Sequence, residues 1–235
     1  MKTTVDKIID SATTFFDKLR EDDNGRYRSW EHCYKVFHDA RSNDSKDYDF
    51  LSLHLAFYLA SWGMYRGSSF LLQKDYKVHL RVVKELLKSK YDVLFGIECK
   101  ELRSKNVQDK LESLNGFMRS HYDKERISVK ETKVNNQLSD ILITKILMGT
   151  LGCVPAYDRY FVAGVRKEKV TTGTYNINSL LKLVDFYEEN KDKLEDTRKK
   201  LKVKTLSYPQ MKLLDMGFWQ IGFESDDKKG LKIAH

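Results

Sequence analysis

Asp158 is the residue whose type and position most suggest chemistry. Residues 143–166, ITKILMGTLGCVPAYDRYFVAGVR, contain an apolar helical pattern, a break at Gly152 and Pro155, and a second apolar pattern after Asp158. An aspartate directly before a helix accepts hydrogen bonds from the first backbone N–H groups, so capping is one role for it. The second role is chemical, because a carboxylate facing a cleft stabilises a developing cation or activates a water molecule. One side chain can perform both roles.

Several aromatic and polar side chains that could surround a planar ligand lie in or just after the most apolar stretch of the chain. This stretch, residues 50–72, contains Gly63 and Gly67, which allow a backbone or a ligand to approach closely. Packing in the core is a sufficient explanation for each aromatic side chain by itself. Polar side chains next to this apolar stretch need hydrogen-bond partners or must extend to water. The candidate base-pocket residues are Trp30, His32, Trp62, Tyr65, Arg66, Gln73 and Tyr157.

The composition is that of a basic helical protein. The chain has 235 residues, a net charge of +8 and 2 prolines, and its many lysines, leucines and glutamates favour helix. Strand patterning is nearly absent, and no apolar window approaches the roughly 18 residues of a membrane span. We therefore expect an all-α fold of about ten helices in one domain, residues 1–235. Two closely packed lobes, 1–133 and 134–235, with a cleft between them, are the alternative.

The apolar periodicity also predicts element boundaries. Residues 119–133 and 167–178 are predicted to be connectors, and Gly217 is predicted to end the last helix. Ser29 is a predicted cap for the second helix. Asn178 or Ser179 is a predicted cap for the helix at residues 180–190. Helices are predicted at about 1–20, 29–40, 50–72, 78–87, 88–95, 107–122, 137–151, 159–166, 180–190 and 210–216.

Charge and cysteine content bear on partners and cellular setting. The cysteines Cys33, Cys99 and Cys153 are widely spaced and form no C-x-x-C pair, so neither a disulfide framework nor a zinc knuckle is expected. No metal site, no cofactor and no membrane contact are expected, and a reducing cytoplasm is the predicted location. The basic balance is compatible with a nucleic-acid partner. Candidate contacts to its phosphates are Arg159, Arg166, Lys167 and Lys169.

The helix, short turn, proline and aspartate of residues 137–166 resemble the helix–hairpin–helix DNA glycosylases. In that superfamily an aspartate at this place stabilises the cation-like sugar as the base leaves. Members that also cleave the strand carry a nucleophilic lysine one helix earlier. The resemblance implies that Asp158 is this aspartate and Lys145 this lysine. The segment NNQLSDILITK lacks the glycines of the family's hairpin, and the separation of the lysine from the aspartate is shorter than the family's.

The resemblance implies a hydrolase that excises a damaged or modified base from double-stranded DNA. Such an enzyme extrudes the base, holds it against aromatic faces and places a carboxylate near the sugar. Independently of this resemblance, the chain contains aromatic, acidic and basic residues of the types that such chemistry needs.

Two alternatives remain open at this point. The segment RYRSWEH, from Arg26 to His32, resembles the R-x(4–6)-H motif of HEPN-type ribonucleases of toxin or phage-defence systems. There the pair would supply a general acid or base and a phosphate clamp. The other alternative is a helical interaction or nucleic-acid-binding module without chemistry, in which Asp158 only caps its helix.

Overall fold

A computed structural model describes residues 2–43, 45–130, 139–203 and 206–233. These residues form the predicted all-α fold, with a single antiparallel hairpin of two short strands, β1 (Lys202–Val203) and β2 (Leu206–Ser207). The ten α-helices of the described residues are α1 (Thr4–Glu21), α2 (Ser29–Ser42), α3 (Tyr48–Ser61), α4 (Leu80–Leu86), α5 (Lys105–Lys130), α6 (Asp140–Thr150), α7 (Arg159–Lys167), α8 (Ile177–Glu189), α9 (Lys191–Lys200) and α10 (Gln210–Ile233). Short 3-10 helices lie at Arg26–Arg28, Phe70–Gln73, Tyr76–His79, Ser89–Leu94 and Cys99–Arg103.

Helix α10 packs against both α1 and α7, and glycines permit the close approach. A Cβ atom on Gly164 of α7 would lie 2.0 Å from the carbonyl oxygen of Phe218. A Cβ atom on Gly222 would lie 1.9 Å from the carbonyl oxygen of Tyr160. Because backbone cannot yield to such overlap, only glycine fits at these two positions. One continuous apolar core therefore includes residues from both ends of the chain, from Val5 to Ile221.

The last helix is longer than the sequence predicted. Gly217 was predicted to end it, but α10 continues to Ile233. The glycine serves helix packing instead, because a Cβ atom there would lie 2.5 Å from a methyl carbon of Ile8 in α1. The predicted boundary was wrong because a glycine required by a distant contact has the same local appearance as a C-terminal glycine.

Two other boundaries also differ from the prediction. The central helix was predicted over residues 50–72, but α3 ends at Ser61, and the positive φ angles of Gly63 and Gly67 turn the chain there. Helix α5 extends to Lys130, so residues 119–130 of the predicted connector are helical. Its apolar stripe continues through Tyr122, which is fully buried. The rest of that connector, and the start of the segment 137–151, lie outside the described residues.

Two predicted caps are also replaced. Ser29 lies inside α2, whose N-cap position is held by Arg28 without a side-chain hydrogen bond. Asn176 caps α8 by accepting a hydrogen bond from the Ser179 backbone N–H at 2.8 Å. The predicted connector 167–178 is confirmed as irregular up to the start of α8. In the described part of the chain, no helix combines the length and the apolar character needed to cross a membrane.

Candidate functional site

A cavity of about 570 Å³ opens beside Asp158. This volume is within the range of roughly 300–1,000 Å³ that is typical of small-molecule sites. The walls come from the end of α3 and the turn after it, from α5, from the starts of α6 and α7, and from α10. Its aromatic lining residues are Tyr27, Trp62, Phe70, Tyr160, Trp219 and Phe223.

Asp158 caps α7 and contacts the cavity at the same time. Its Oδ1 atom accepts hydrogen bonds from the backbone N–H groups of Tyr160 and Phe161, both at 3.1 Å. Its Oδ2 atom accepts a hydrogen bond from Trp219 Nε1 at 3.3 Å. The side chain is 12% exposed and lines the cavity. The carboxylate is therefore held in one orientation without being sealed inside the core.

Lys145 lies next to this carboxylate. Its Nζ atom is 3.5 Å from Asp158 Oδ2 and donates a hydrogen bond to the Trp62 carbonyl oxygen at 2.7 Å. Burial lowers the pKa of the Lys145 amine, and the nearby Asp158 charge acts in the opposite direction. An amine whose pKa is lowered in this way reaches its neutral, nucleophilic form more readily than a surface lysine does.

The turn between α6 and α7 is held from two sides. The Ala156 backbone N–H donates to Asp215 Oδ1 of α10 at 2.9 Å. The Tyr157 backbone N–H donates to Thr144 Oγ1 of α6 at 3.0 Å. The donors of these two bonds are the two residues before Asp158. The position of its carboxylate therefore depends on α6 and α10.

A buried ion pair on α10 supports the site from behind. Lys212 Nζ donates to Asp215 Oδ2 at 2.8 Å, and both residues are 3% exposed. The same ammonium group lies 5.4 Å from the centre of the Trp62 ring and 4.9 Å from that of Trp30. Such cation–π contacts stabilise both the charge and the orientation of the rings. Lys212 therefore links α10 to the aromatic wall.

The charge on the cavity lining is strongly positive. Its described residues include the cations Arg26, Arg66, Arg126, Arg159 and Lys145, and a single acid, Asp158. Arg126 is paired with Asp123 and Arg159 with Asp226. Within the described ranges, Arg26 and Arg66 have no carboxylate within the 4.0 Å of an ion pair. The rim therefore carries two uncompensated guanidinium groups, which favour an anionic ligand.

The structure brings together five of the sequence-predicted site residues. These cavity-lining residues are Asp158, Lys145, Trp62, Arg66 and Arg159.

The other predicted base-pocket residues lie outside the lining. Trp30 is 2% exposed behind the cavity, where Nε1 donates to the Met148 carbonyl oxygen at 2.9 Å. Tyr65 instead makes a hydrogen bond to His79 at 2.8 Å, and Gln73 is exposed beyond the turn. Tyr157 is buried with its hydroxyl 3.3 Å from Ser179 Oγ, so its backbone rather than its ring serves the site.

Three predicted phosphate contacts are exposed and lie outside the cavity lining. Arg166 Nε donates to the Thr172 carbonyl oxygen at 2.7 Å, and Lys167 Nζ donates to Ser225 Oγ at 2.8 Å. Lys169 lines a separate shallow depression of mixed charge. Of the four candidates, Arg159 alone belongs to the cavity lining in the described part of the chain.

Of the two residues of the ribonuclease-like pattern, only Arg26 belongs to the described cavity lining. Arg26 lines the cavity, where its guanidinium lies 4.7 Å from the centre of the Tyr27 ring. His32 is exposed on α2 and does not belong to the lining. Burial lowers the pKa of His54, and His32 contributes to the same shift, so His32 is near α3.

Sequence analysis missed the contribution of α10. Lys212, Asp215 and Trp219 lie at i, i+3 and i+7, and therefore on one face of the helix. A lysine and an aspartate in a helix whose neighbours are fully buried indicate a polar network, and this signal was available in the sequence. Ending the helix at Gly217 hid Trp219 from the predicted site.

Across the described ranges, no group of three or more histidine, cysteine, aspartate or glutamate residues could hold a metal ion. No protein-family model, no curated protein and no solved structure matches this chain. The geometry of the cavity is therefore the basis for a functional proposal.

Proposed function

We propose that this protein is a DNA glycosylase-like enzyme that breaks the N-glycosidic bond of a damaged or modified nucleotide extruded from a DNA duplex. One observation carries the proposal: Lys145 Nζ and Asp158 Oδ2 are 3.5 Å apart in the wall of an aromatic cavity. An amine and a carboxylate placed together in this way suit attack at a sugar carbon that becomes positively charged.

The aromatic lining supports the binding of an extruded base. A base that leaves the duplex loses its stacking energy, and aromatic faces can replace about 1–3 kcal/mol of it. The rings of Trp62 and Tyr27 have their centres 5.0 Å apart, and Trp219 stacks on Phe223 with its ring centre 5.1 Å away. These rings present apolar faces within one cavity of about 570 Å³.

The carboxylate supports the bond-breaking step. As the bond between C1′ and the base nitrogen breaks, the base leaves with the bonding electron pair, and positive charge develops on the sugar. Asp158 is fixed by two backbone N–H groups and by Trp219, so it need not reorient when this charge appears. Such preorganisation is generally the largest electrostatic contribution to catalysis.

The buried amine supports nucleophilic attack by Lys145. Asp158 can accept the proton that the Lys145 ammonium loses, and the amine can then bond to C1′ as the base leaves with the electron pair of the broken C1′–N bond. The nitrogen next passes a proton to the ring oxygen O4′ as the C1′–O4′ bond breaks, which gives a protonated imine. Hydrolysis would instead use a water molecule oriented by the same carboxylate. The uncompensated guanidinium groups of Arg26 and Arg66 at the rim suit the phosphates on either side of the extruded nucleotide.

The test is a cleavage assay on duplexes that each contain one altered base, followed by alkali and a denaturing gel. Asp158→Asn keeps a capping oxygen but removes the charge, so excision should fall at least about 100-fold. The matched control is Asp47→Asn, the same change at the N-cap of α3, outside the cavity lining. Equal activity of wild type and Asp158→Asn, or no product from any substrate, contradicts the proposal.

Borohydride trapping distinguishes the two forms of the reaction. If the amine attacks, reduction should give a covalent protein–DNA adduct that Lys145→Gln abolishes and Lys105→Gln, a change at a lysine that is 76% exposed and outside the cavity lining, preserves. Excision without an adduct assigns the attack to water.

The same assays separate the alternatives. A HEPN-like ribonuclease should cleave RNA in a manner that His32→Ala abolishes and Asp158→Asn does not. A module without chemistry should alter no nucleic acid at all. His32 is exposed and does not belong to the cavity lining that contains Arg26, which gives the ribonuclease less support than the glycosylase-like reaction.

A further inference from the structure

Two hydrogen-bond donors in the cavity lining have no hydrogen-bond partner among the residues that the structure describes. Trp62 Nε1 and Arg126 Nε are both buried, and neither makes a hydrogen bond within the described residues. Both residues line the cavity. A buried N–H without an acceptor is unfavourable, so such a group calls for a ligand or another explanation.

The acceptors of the cavity, by contrast, are already occupied. Asp158 Oδ1 receives two backbone N–H groups, and Oδ2 receives Trp219 Nε1 beside the Lys145 amine. The Trp62 carbonyl oxygen receives the Lys145 amine. The strongest acceptors in the wall are therefore used within the protein.

Two serine hydroxyls of the lining add to the excess of donors, whereas Ser61 Oγ already donates to the Phe57 carbonyl oxygen at 2.9 Å. Ser69 Oγ accepts from the Leu71 backbone N–H at 3.3 Å, and Ser139 Oγ accepts from that of Ile141 at 3.2 Å. A hydroxyl that has accepted a hydrogen bond still has its own hydrogen to donate. Arginine side chains can only donate. The free hydrogen-bonding capacity of the wall thus consists mainly of donors.

We infer that the cavity selects bases whose edge presents carbonyl oxygens over bases that present exocyclic amino groups, and that Trp62 Nε1 and Arg126 Nε carry this selection. This inference rests on the proposed function in one respect, that the occupant is an extruded base. An amino group would face donors and leave them unpaired, whereas a carbonyl oxygen would accept from them. Hydrolytic deamination, which replaces an amino group by a carbonyl, is the class of reaction that would supply such substrates.

The test compares bases that differ only at this edge. Uracil is compared with cytosine, and hypoxanthine with adenine, each placed opposite an abasic analogue so that pairing does not contribute. Duplexes with a 2′-fluoro sugar report binding by fluorescence anisotropy, and the unmodified duplexes report excision. We expect wild type to bind the carbonyl-bearing member of each pair at least about tenfold more tightly, as one unpaired buried donor implies.

The variants identify the groups responsible. Trp62→Phe keeps an aromatic face but removes Nε1, and Arg126→Lys keeps the charge but removes Nε. In each variant, the ratio of affinities for the carbonyl-bearing and the amino-bearing base should fall towards one. Trp30→Phe removes an indole N–H that bonds to Met148 behind the cavity, and Arg103→Lys changes an arginine that is 52% exposed and lies outside the cavity lining, so both should keep the preference.

The outcomes distinguish this inference from the proposed function. Equal binding within each pair, a preference for the amino-bearing base, or a preference that survives in both Trp62→Phe and Arg126→Lys overturns the inference. Excision without a carbonyl preference would leave the glycosylase-like activity standing and the inference refuted. A carbonyl preference in binding without excision would support the inference and refute the activity. No binding to any duplex would refute both.

Discussion

Replacing Asp215 by asparagine removes one charge from the ion pair behind the candidate site. Lys212 and Asp215 are each 3% exposed, so water screens neither charge. Asparagine keeps an oxygen that can accept the hydrogen bond from the Ala156 N–H, so the substitution isolates the effect of the charge. Lys212 then remains among the rings of Trp30 and Trp62 without its carboxylate.

The expected loss of unfolding free energy is about 3–5 kcal/mol, the usual effect of removing one partner from a buried pair. The ring contacts of about 0.5–2 kcal/mol each exist in both proteins and largely cancel in the comparison.

The assay is urea unfolding at pH 7, followed by tryptophan fluorescence, for wild type, Asp215→Asn, Lys212→Met and the double variant. Each single variant should be less stable by about 3–5 kcal/mol. The double variant should lose at least about 2 kcal/mol less than the sum of the single losses, because it leaves no unpaired charge. If Asp215→Asn lies within about 1 kcal/mol of wild type, or if the losses simply add, the pair does not support the site as argued.

Three further predictions test other parts of the structure. Burial lowers the pKa of His79 to about 3, so the unfolded chain, with a pKa near 6.5, binds more protons between these values. Unfolding free energy should therefore fall as pH drops from 6.5 towards 3, by up to about 1.4 kcal/mol per unit, and His79→Gln should flatten this slope in urea titrations. Gly164→Ala should destabilise by about 3 kcal/mol or more in the same assay, whereas Gly116→Ala, with open space around its Cβ, should change stability by less than about 1 kcal/mol and not unfavourably. Arg66→Gln should reduce the slope of log affinity against log salt for duplex DNA by about 1, and an unchanged slope would remove Arg66 from the phosphate contacts.

Local sequence patterns were sufficient for the fold class and for most helices. The apolar spacing in α1 predicted its buried face, including Ile8, Ala12 and Phe16, because helical periodicity acts over a few residues. The aspartate cap at Asp158 was predicted for the same reason, since a cap involves only the first turn of its own helix.

The site itself was decided by contacts between distant parts of the chain. Lys145 bonds to a carbonyl 83 residues away, and Trp219 bonds to Asp158 across 61 residues. Trp30 and Trp62 were both predicted pocket residues, yet one is buried in the core and the other lines the cavity.

The sequence by itself determined that the chain is helical, where most helices begin, and that Asp158 opens one of them. Only the tertiary structure decided that α10 runs past Gly217, that its Lys212 and Asp215 lie behind the site, and that an amine meets the carboxylate in a cavity. The physical reason is the distance along the chain over which each interaction acts. Helix propensity and capping depend on neighbours within about one turn, whereas a cavity and a buried ion pair depend on how whole helices pack.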